Sequence, residues 1–332
     1  MSKKTRYFVA VSGAILLVGM GTGLVASYMG LPVSVFSSAA GPDELQYVPA
    51  DASVVAYANV RDVMNSEFRQ RFRQLEPQSE ERHDFEDQTG INLEQDVESV
   101  VVAMTPGDAP NHPEHGALLL ARGRFQAERL EALAIQHGAA VDEYEGTRIV
   151  SHESGQNGEN GRMALGFIEA DLVAFGSDQM VRRAIDAHRD RRNVVSNNDM
   201  MRLIAELDSS NAWAVGRFDE LARQANLPTD IQGQIPTISW FSAAGHINGG
   251  LSGVVKAEAK DEAAAQNLRD VVRGFLALAK LQAGNKPGMQ HMVDSLQLSG
   301  DGTTVALAFS VPTEVLDVLE AATKMRKNPA EK

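Results

Sequence analysis

The chain has 332 residues, enough for about two domains. Its apolar share of 43% and charged share of 23% exclude a wholly disordered or fibrous polypeptide. With 44 acids against 31 lysines and arginines the formal charge is −13, which repels phosphate backbones and removes nucleic acid from the expected partners. The absence of cysteine removes disulfides, thiolate metal sites and cysteine nucleophiles.

The positive charge is concentrated at the start, where residues 1–42 hold Lys3, Lys4 and Arg6 and no acid. Tyr7 to Met29 then runs uncharged and mostly apolar for 23 residues. As a helix this segment reaches about 34 Å, enough for a hydrocarbon core of about 30 Å. Cations before it and none close behind it keep the N-terminus cytoplasmic and export everything after residue 30. Ser38-Ala39-Ala40 resembles a signal-peptidase site, but signal cores run about 7–15 residues, and the longer stretch here favours a retained anchor. Gly19, Gly23 and Ser27 share one face of that helix at the spacing that lets two membrane helices approach, so self-association through this face is an expectation.

The expected organisation is a cytoplasmic stub at 1–6, a membrane anchor at 7–29, a tether at 30–50 and a first α+β repeat at 51–208. A second repeat at 209–326 and a disordered tail at 327–332 complete it. In the first repeat, strands are predicted at 53–60, 97–105 and 117–122, and as two pairs around 141–152 and 163–176. Helices are predicted from 61 to about 75, over the acidic stretch 78–88 and over 126–137. Another opens at Ser177, a plausible N-cap, and buries Val181, Ala184 and Ile185.

The second repeat begins with a strand at 212–218 and a short helix at 219–225. A hairpin follows at 238–259 across Gly249-Gly250. The clearest helix covers 261–281, with Leu268, Val271, Val272, Phe275 and Ala279 as its inward stripe. A hairpin at 295–310 and a last helix from about Pro312 to Met325, with Val315, Val318, Leu319 and Ala322 inward, close the chain.

The two halves share their order and some wording. Ala56-Tyr57-Ala58-Asn59-Val60-Arg61-Asp62 matches Ala214-Val215-Gly216-Arg217-Phe218-Asp219 in kind. Hairpins in place of βαβ crossovers imply antiparallel sheets. The fold class is therefore α+β: an N-terminal transmembrane helix followed by two diverged repeats of antiparallel sheet covered by helices.

Val48-Pro49-Ala50-Asp51-Ala52 leads into Val54-Val55-Ala56-Tyr57 shortly after the apolar segment. A second run, Asp294 to Ser299 with Asp301 to Val305, lies near the C-terminus. With these runs the chain resembles an uncharacterised bacterial membrane-anchored family known only as a domain of unknown function. The resemblance implies an exported α+β protein and supplies no catalytic residues.

Candidate chemistry is sparse. His112 and His115, with Asp108 nearby, could hold Zn²⁺. Their spacing of three beside Pro113 is not the spacing of four on a helix that metalloproteases use, and a solvated loop explains them. Arg182, Arg183, Arg189, Arg191 and Arg192 cluster within eleven residues and could grip a carboxylate or phosphate. Pairing with nearby acids is the plainer alternative. His137 and His188 fit helix C-termini, and His246 fits a strand core. The acidic stretch Glu80 to Asp87 lacks the alternation and glycine turn of a calcium loop. Neither a phosphate loop, nor a nucleophile elbow, nor a dinucleotide fingerprint is present.

The sequence thus points to a bacterial inner-membrane, single-pass protein with a periplasmic body. It acts as a binding or scaffold protein for an envelope protein or small ligand, with no catalytic residues and no cofactor. The alternative is an exported hydrolase with a spatially assembled, metal-dependent site.

Overall fold

Alternating or β-branched runs dominate the first half of the folded body, and each becomes a strand because one face of it can be buried. A computed structural model describes residues 41–67, 69–70, 86–106, 116–153, 162–207, 209–218, 238–247, 250–283, 290 and 293–312. They fall into two compact units. One takes in Ser37–Arg61 and Gln78–Asp208, the other Asp62–Pro77 and Ser209–Lys332. Among the described residues no helix is long and apolar enough to cross a membrane. The apolar segment 7–29 with Gly19, Gly23 and Ser27 lies outside them, as do His112, His115, the helix expected at 219–225 and the last helix.

The first unit is built on strands β1 (Val54–Asn59), β2 (Val97–Met104), β3 (Ala117–Gly123), β4 (Ala140–Tyr144), β5 (Thr147–Glu153), β6 (Arg162–Glu169) and β7 (Leu172–Ser177). Their order is β1-β2-β3-β7-β6-β5-β4, with every neighbour antiparallel. The chain meanders through three strands, crosses, and returns by four. The short helix Val60–Asn65, α1, follows β1 and passes at Asp62 into the residues of the second unit, and α2 (Leu93–Asp96) precedes β2. In α2 the Asn92 side chain accepts from the Glu94 and Gln95 amides. Helix α3 (Ala127–Gln136) joins β3 to β4, α4 (Asp178–Arg189) follows β7, and α5 (Asn198–Ala205) ends the unit.

Helix α4 fixes the core. Ser177 caps it, its hydroxyl accepting from the Met180 amide at 3.2 Å. Met180, Val181, Ala184, Ile185 and Ala187 are buried, so one continuous stripe packs on β3, β6 and β7. Each fully buried large side chain contributes about 1.5–3 kcal/mol. Gly166 of β6 makes the approach possible: a Cβ there would stand 2.9 Å from Val181 Cγ1. The helix stops at Arg191, whose φ of 55° is left-handed. The Arg192 amide reaches back to Ala187 O at 3.0 Å and the Arg191 amide to His188 O at 3.3 Å, a Schellman closure with arginine where glycine is usual.

The entry into this unit corrects one sequence expectation. The sequence places residues 43–50 in the tether, yet the 3-10 turn Asp43–Tyr47 packs on α4 and on the turn Val194–Ser196. Leu45 and Val48 are completely buried. The Val194 amide donates to Val48 O at 2.9 Å and the Ala50 amide to Arg192 O at 3.3 Å. Apolar Leu45, Tyr47 and Val48 supply core, and burial fixes them.

The second unit carries β8 (Ala212–Arg217), β9 (Ile238–Ile247), β10 (Gly250–Ala259), α6 (Glu262–Ala283), β11 (Gln297–Ser299) and β12 (Thr304–Pro312). The order is β8-β9-β10-β12-β11, again antiparallel throughout. Three strands meander, a helix follows, and two strands return. Helix α6 packs on β10, β11 and β12, with Ala265, Ala259 and Val305 forming a buried cluster joined by Leu268 and Leu298.

Two members of the predicted inward stripe of α6 face away. Val271 is 43% exposed and Phe275 68%. Apolar residues occupy well over half of the helix circumference, so periodicity alone does not choose the arc that meets the sheet. Small Ala265 and Ala283, both buried, allow the close approach that decides it.

Candidate functional site

The charged and aromatic side chains of the first unit converge near the end of the sheet where β3, β6 and β7 meet the entry segment. Arg122, at the end of β3, pairs in register with Leu172 and so lies beside the β6–β7 turn. Its Nε donates to Glu44 Oε1 at 2.8 Å, and its Nη1 donates to Glu169 Oε2 at 3.1 Å and to both Asp171 oxygens at 2.8 Å. The Glu44 side chain is only 4% exposed, and Ser99 also donates to it at 3.0 Å. Burial alone would lower the Arg122 pKa, but the bonds to Asp171, Glu44 and Glu169 outweigh it and raise it further. A buried carboxylate of this kind is tolerated only because guanidinium and hydroxyl donors satisfy it.

The network continues outward through Tyr47. Its hydroxyl donates to Glu169 at 2.7 Å, and burial together with that bond pushes the phenol pKa up. The Tyr47 ring stacks on His188 of α4, with centroids 4.4 Å apart and planes 13° from parallel. These two rings form one wall of a cleft of about 270 Å³ that is also lined by Glu145, Thr147, Ile168, Ile185 and Arg189. Ile168 and Ile185 are its apolar part. Arg189 and Glu145 supply opposite charges, joined at 2.8 Å between Nη1 and Oε1.

Glu145 is placed by an unusual turn. Tyr144 pairs with Thr147, so Glu145-Gly146 is a two-residue hairpin loop with φ of 49° and 78°. Positive φ at both positions is the type I′ signature, which favours Asn or Gly first. A glutamate there carries a local conformational cost, and strain of this kind gathers at functional positions.

The five candidate arginines do not form one patch. Arg182 Nε donates to Asp178 at 2.8 Å, its Nη2 donates to Asp142 at 2.7 Å, and its guanidinium lies 4.8 Å from the Tyr144 ring centroid. Arg183 pairs with Asp51. Arg189 meets Asp186 at 3.0 Å and Asp190 at 2.9 Å as well as Glu145. Arg191 and Arg192 belong to the helix stop and are exposed. Of the five, Arg189 alone lines the cleft.

His137 caps α3, its Nδ1 lying 2.8 Å from Leu133 O, and His246 is half-buried on β9. Among the described residues no group of three or more histidines or carboxylates has metal-binding geometry. Sequence reasoning missed Glu44, Tyr47, Arg122, Glu145, Glu169 and Asp171. The only available signal was an arginine closing an otherwise apolar strand.

Edge strand β4 is held to α4 by charge more than by burial. Four of its five residues are exposed. Asp142 reaches Arg182, and the Tyr144 hydroxyl donates to Asp186 at 3.0 Å. Arg182 holds the Asp142 carboxyl below the usual range, and Arg189 does the same to Asp190. A lowered folded-state pKa stabilises above the unfolded value of about 3.9 and stops doing so as pH falls through the folded value. Amide exchange, corrected for intrinsic rate, is therefore expected to show β4 losing protection between pH 5 and about pH 3 while β3 and β7 keep theirs. Unchanged β4 protection across that interval would contradict the assignment.

Comparison with known proteins gives the class first. The mixed helix and antiparallel sheet place the chain in the α+β class, and its residues 10–239 match the sequence family described as Protein of unknown function (DUF3352). The chain belongs to that family. No curated protein matches it. A solved structure, crystal form I of TP0453, superposes with a TM-score of 0.42 at 12% identity, covering 86% of this chain and 98% of that one.

Proposed function

We propose that this protein is a membrane-tethered, extracytoplasmic binding protein, held by residues 7–29, whose first unit takes a small zwitterionic ligand in the cleft beside Tyr47 and His188. The N-terminal cations followed by 23 apolar residues support the tether and its orientation in the inner membrane, with the body periplasmic. The two strand orders support an origin by duplication: three strands out, a helix across, then a return beside the third strand.

The observation that carries the binding role is the Arg189–Glu145 pair at the cleft. Both partners are about half exposed, at 45% and 47%, and a pair of that exposure is worth little by itself. Asp186 and Asp190, on and just beyond α4, hold the other guanidinium nitrogens, so Arg189 stays in place when Glu145 leaves. A ligand carboxylate then takes the Glu145 position on Nη1, and a ligand ammonium takes the freed Glu145 carboxylate. The exchange leaves the local charge balanced. Ile168, Ile185 and the Tyr47–His188 stack receive the rest of a molecule of amino-acid size.

Titrating the detergent-solubilised full chain with an amino-acid and dipeptide panel, read by calorimetry, tests this. Binding of at least one zwitterion is expected. Arg189→Ala should weaken it at least tenfold, and Arg192→Ala, outside the cleft, should leave it unchanged. A panel without binding up to millimolar concentration would overturn the ligand class. Recovery of full-length protein from the soluble fraction would overturn the tether.

A further inference from the structure

Two bonded groups of charge meet at the Tyr47–His188 cleft, and in both of them acid outnumbers base. Arg189 holds Glu145, Asp186 and Asp190, while Arg122 holds Glu44, Glu169 and Asp171. One guanidinium charge against three carboxylates leaves two negative charges over in each group. A zwitterion that trades places with the Arg189–Glu145 pair is itself neutral, so it leaves this surplus as it finds it.

Glu169 is the acid of the surplus that a ligand in the cleft can reach. The register of β6 with β7 slips between Phe167 and Glu169, and the bulge turns two successive residues toward Tyr47. Ile168 lines the cleft beside the Tyr47 ring, and Glu169 accepts from the Tyr47 hydroxyl at 2.7 Å. A regular strand would send these two side chains to opposite faces. The Glu169 carboxylate thus stands one hydrogen bond beyond the Tyr47 end of the cleft wall, and its side chain is 40% exposed. Its Oε1 takes the Tyr47 hydroxyl and its Oε2 takes Arg122 Nη1. Each oxygen keeps a second lone pair for another donor. A volume of about 270 Å³ corresponds to a width of about 8 Å, which the four-carbon stem of a lysine crosses.

We infer that the ligand of this cleft is a basic amino acid, whose distal cation is received by Glu169 at the Tyr47 end. The inference rests on the zwitterion reading above and adds a third charge to it. The α-carboxylate and α-ammonium engage Arg189 and Glu145, the stem lies against Ile168 and the ring stack, and the extra positive charge meets the acid surplus.

Calorimetry on the detergent-solubilised full chain compares lysine with norleucine, which has the stem without the ammonium, and arginine with citrulline, its uncharged near-isostere. At about 0.05 M salt the basic member of each pair is expected to bind about fivefold tighter, the scale of a partly exposed ion pair. Raising the salt to about 0.5 M should shrink that advantage, because small ions screen charges at such a site. Glu169→Gln keeps an acceptor for Tyr47 and Arg122 and should bring the lysine-to-norleucine ratio below about twofold. Norleucine and citrulline binding as tightly as lysine and arginine would overturn the inference and leave the zwitterion reading standing. Glutamate binding tighter than lysine would do the same, as would an unchanged ratio in Glu169→Gln. Silence across the whole amino-acid panel would bring down both.

Discussion

Arg122→Met is expected to cost the first unit about 3–5 kcal/mol, the usual penalty for removing one partner of a buried ion pair. Methionine fills much of the same space but donates nothing. Glu44, 4% exposed, then keeps only the Ser99 hydroxyl, while Glu169 and Asp171 lose the cation between them. Pairing Arg122→Met with Glu44→Gln should recover part of the loss, because the orphaned charge is then gone while the amide still accepts from Ser99. Urea denaturation with hydrogen exchange read over residues 97–123 measures both. A single-variant loss below about 1 kcal/mol would show the network to be solvated rather than buried. The effect should extend to the cleft, because Glu169 also accepts from Tyr47, whose ring is one of its walls.

Leu45→Ala is expected to cost about 2–5 kcal/mol, the range for a leucine deleted from a closed core. Leu45 is completely buried, in a turn that carries Glu44 on one side and Tyr47 on the other. Its removal therefore empties a core position and loosens the two side chains that connect the entry segment to Arg122 and His188. The expected signature is a lowered unfolding midpoint together with faster proteolysis between residues 43 and 50. Normal resistance to protease in that interval would mean that the turn holds without Leu45.

What the sequence made legible was mostly local. Ser177 as a cap, the buried stripe Val181, Ala184 and Ile185, and the hairpin of β9 with β10 follow from short-range rules, and the structure has each of them. The stripe of α6 was legible as a helix and not as an orientation, since its apolar arc is wide enough to face the sheet in more than one way. The cleft was scarcely legible at all. Tyr47 and Glu169 stand 122 positions apart, and only the antiparallel return of β6 and β7 to the edge of β3 brings them together. Glu145 carries no pattern of its own, because its importance comes from a left-handed turn that a reader would assign to asparagine or glycine. The arginine cluster was visible, but its acidic partners, Asp51, Asp142 and Glu145 among them, come from other elements.

The way the chain enters the first unit has a mechanical consequence. Between Asp43 and Ser53 it is held by Leu45 and Val48 in the core, by backbone bonds to residues 192 and 194, and by the Ser53 amide on Met104 O at 2.7 Å. Traction arriving from the N-terminal side thus meets a plug, loaded along its length, before it can reach any strand. Under load the plug should yield in one step, so a pulling experiment on this end ought to record a single early rip ahead of the sheet's own unravelling.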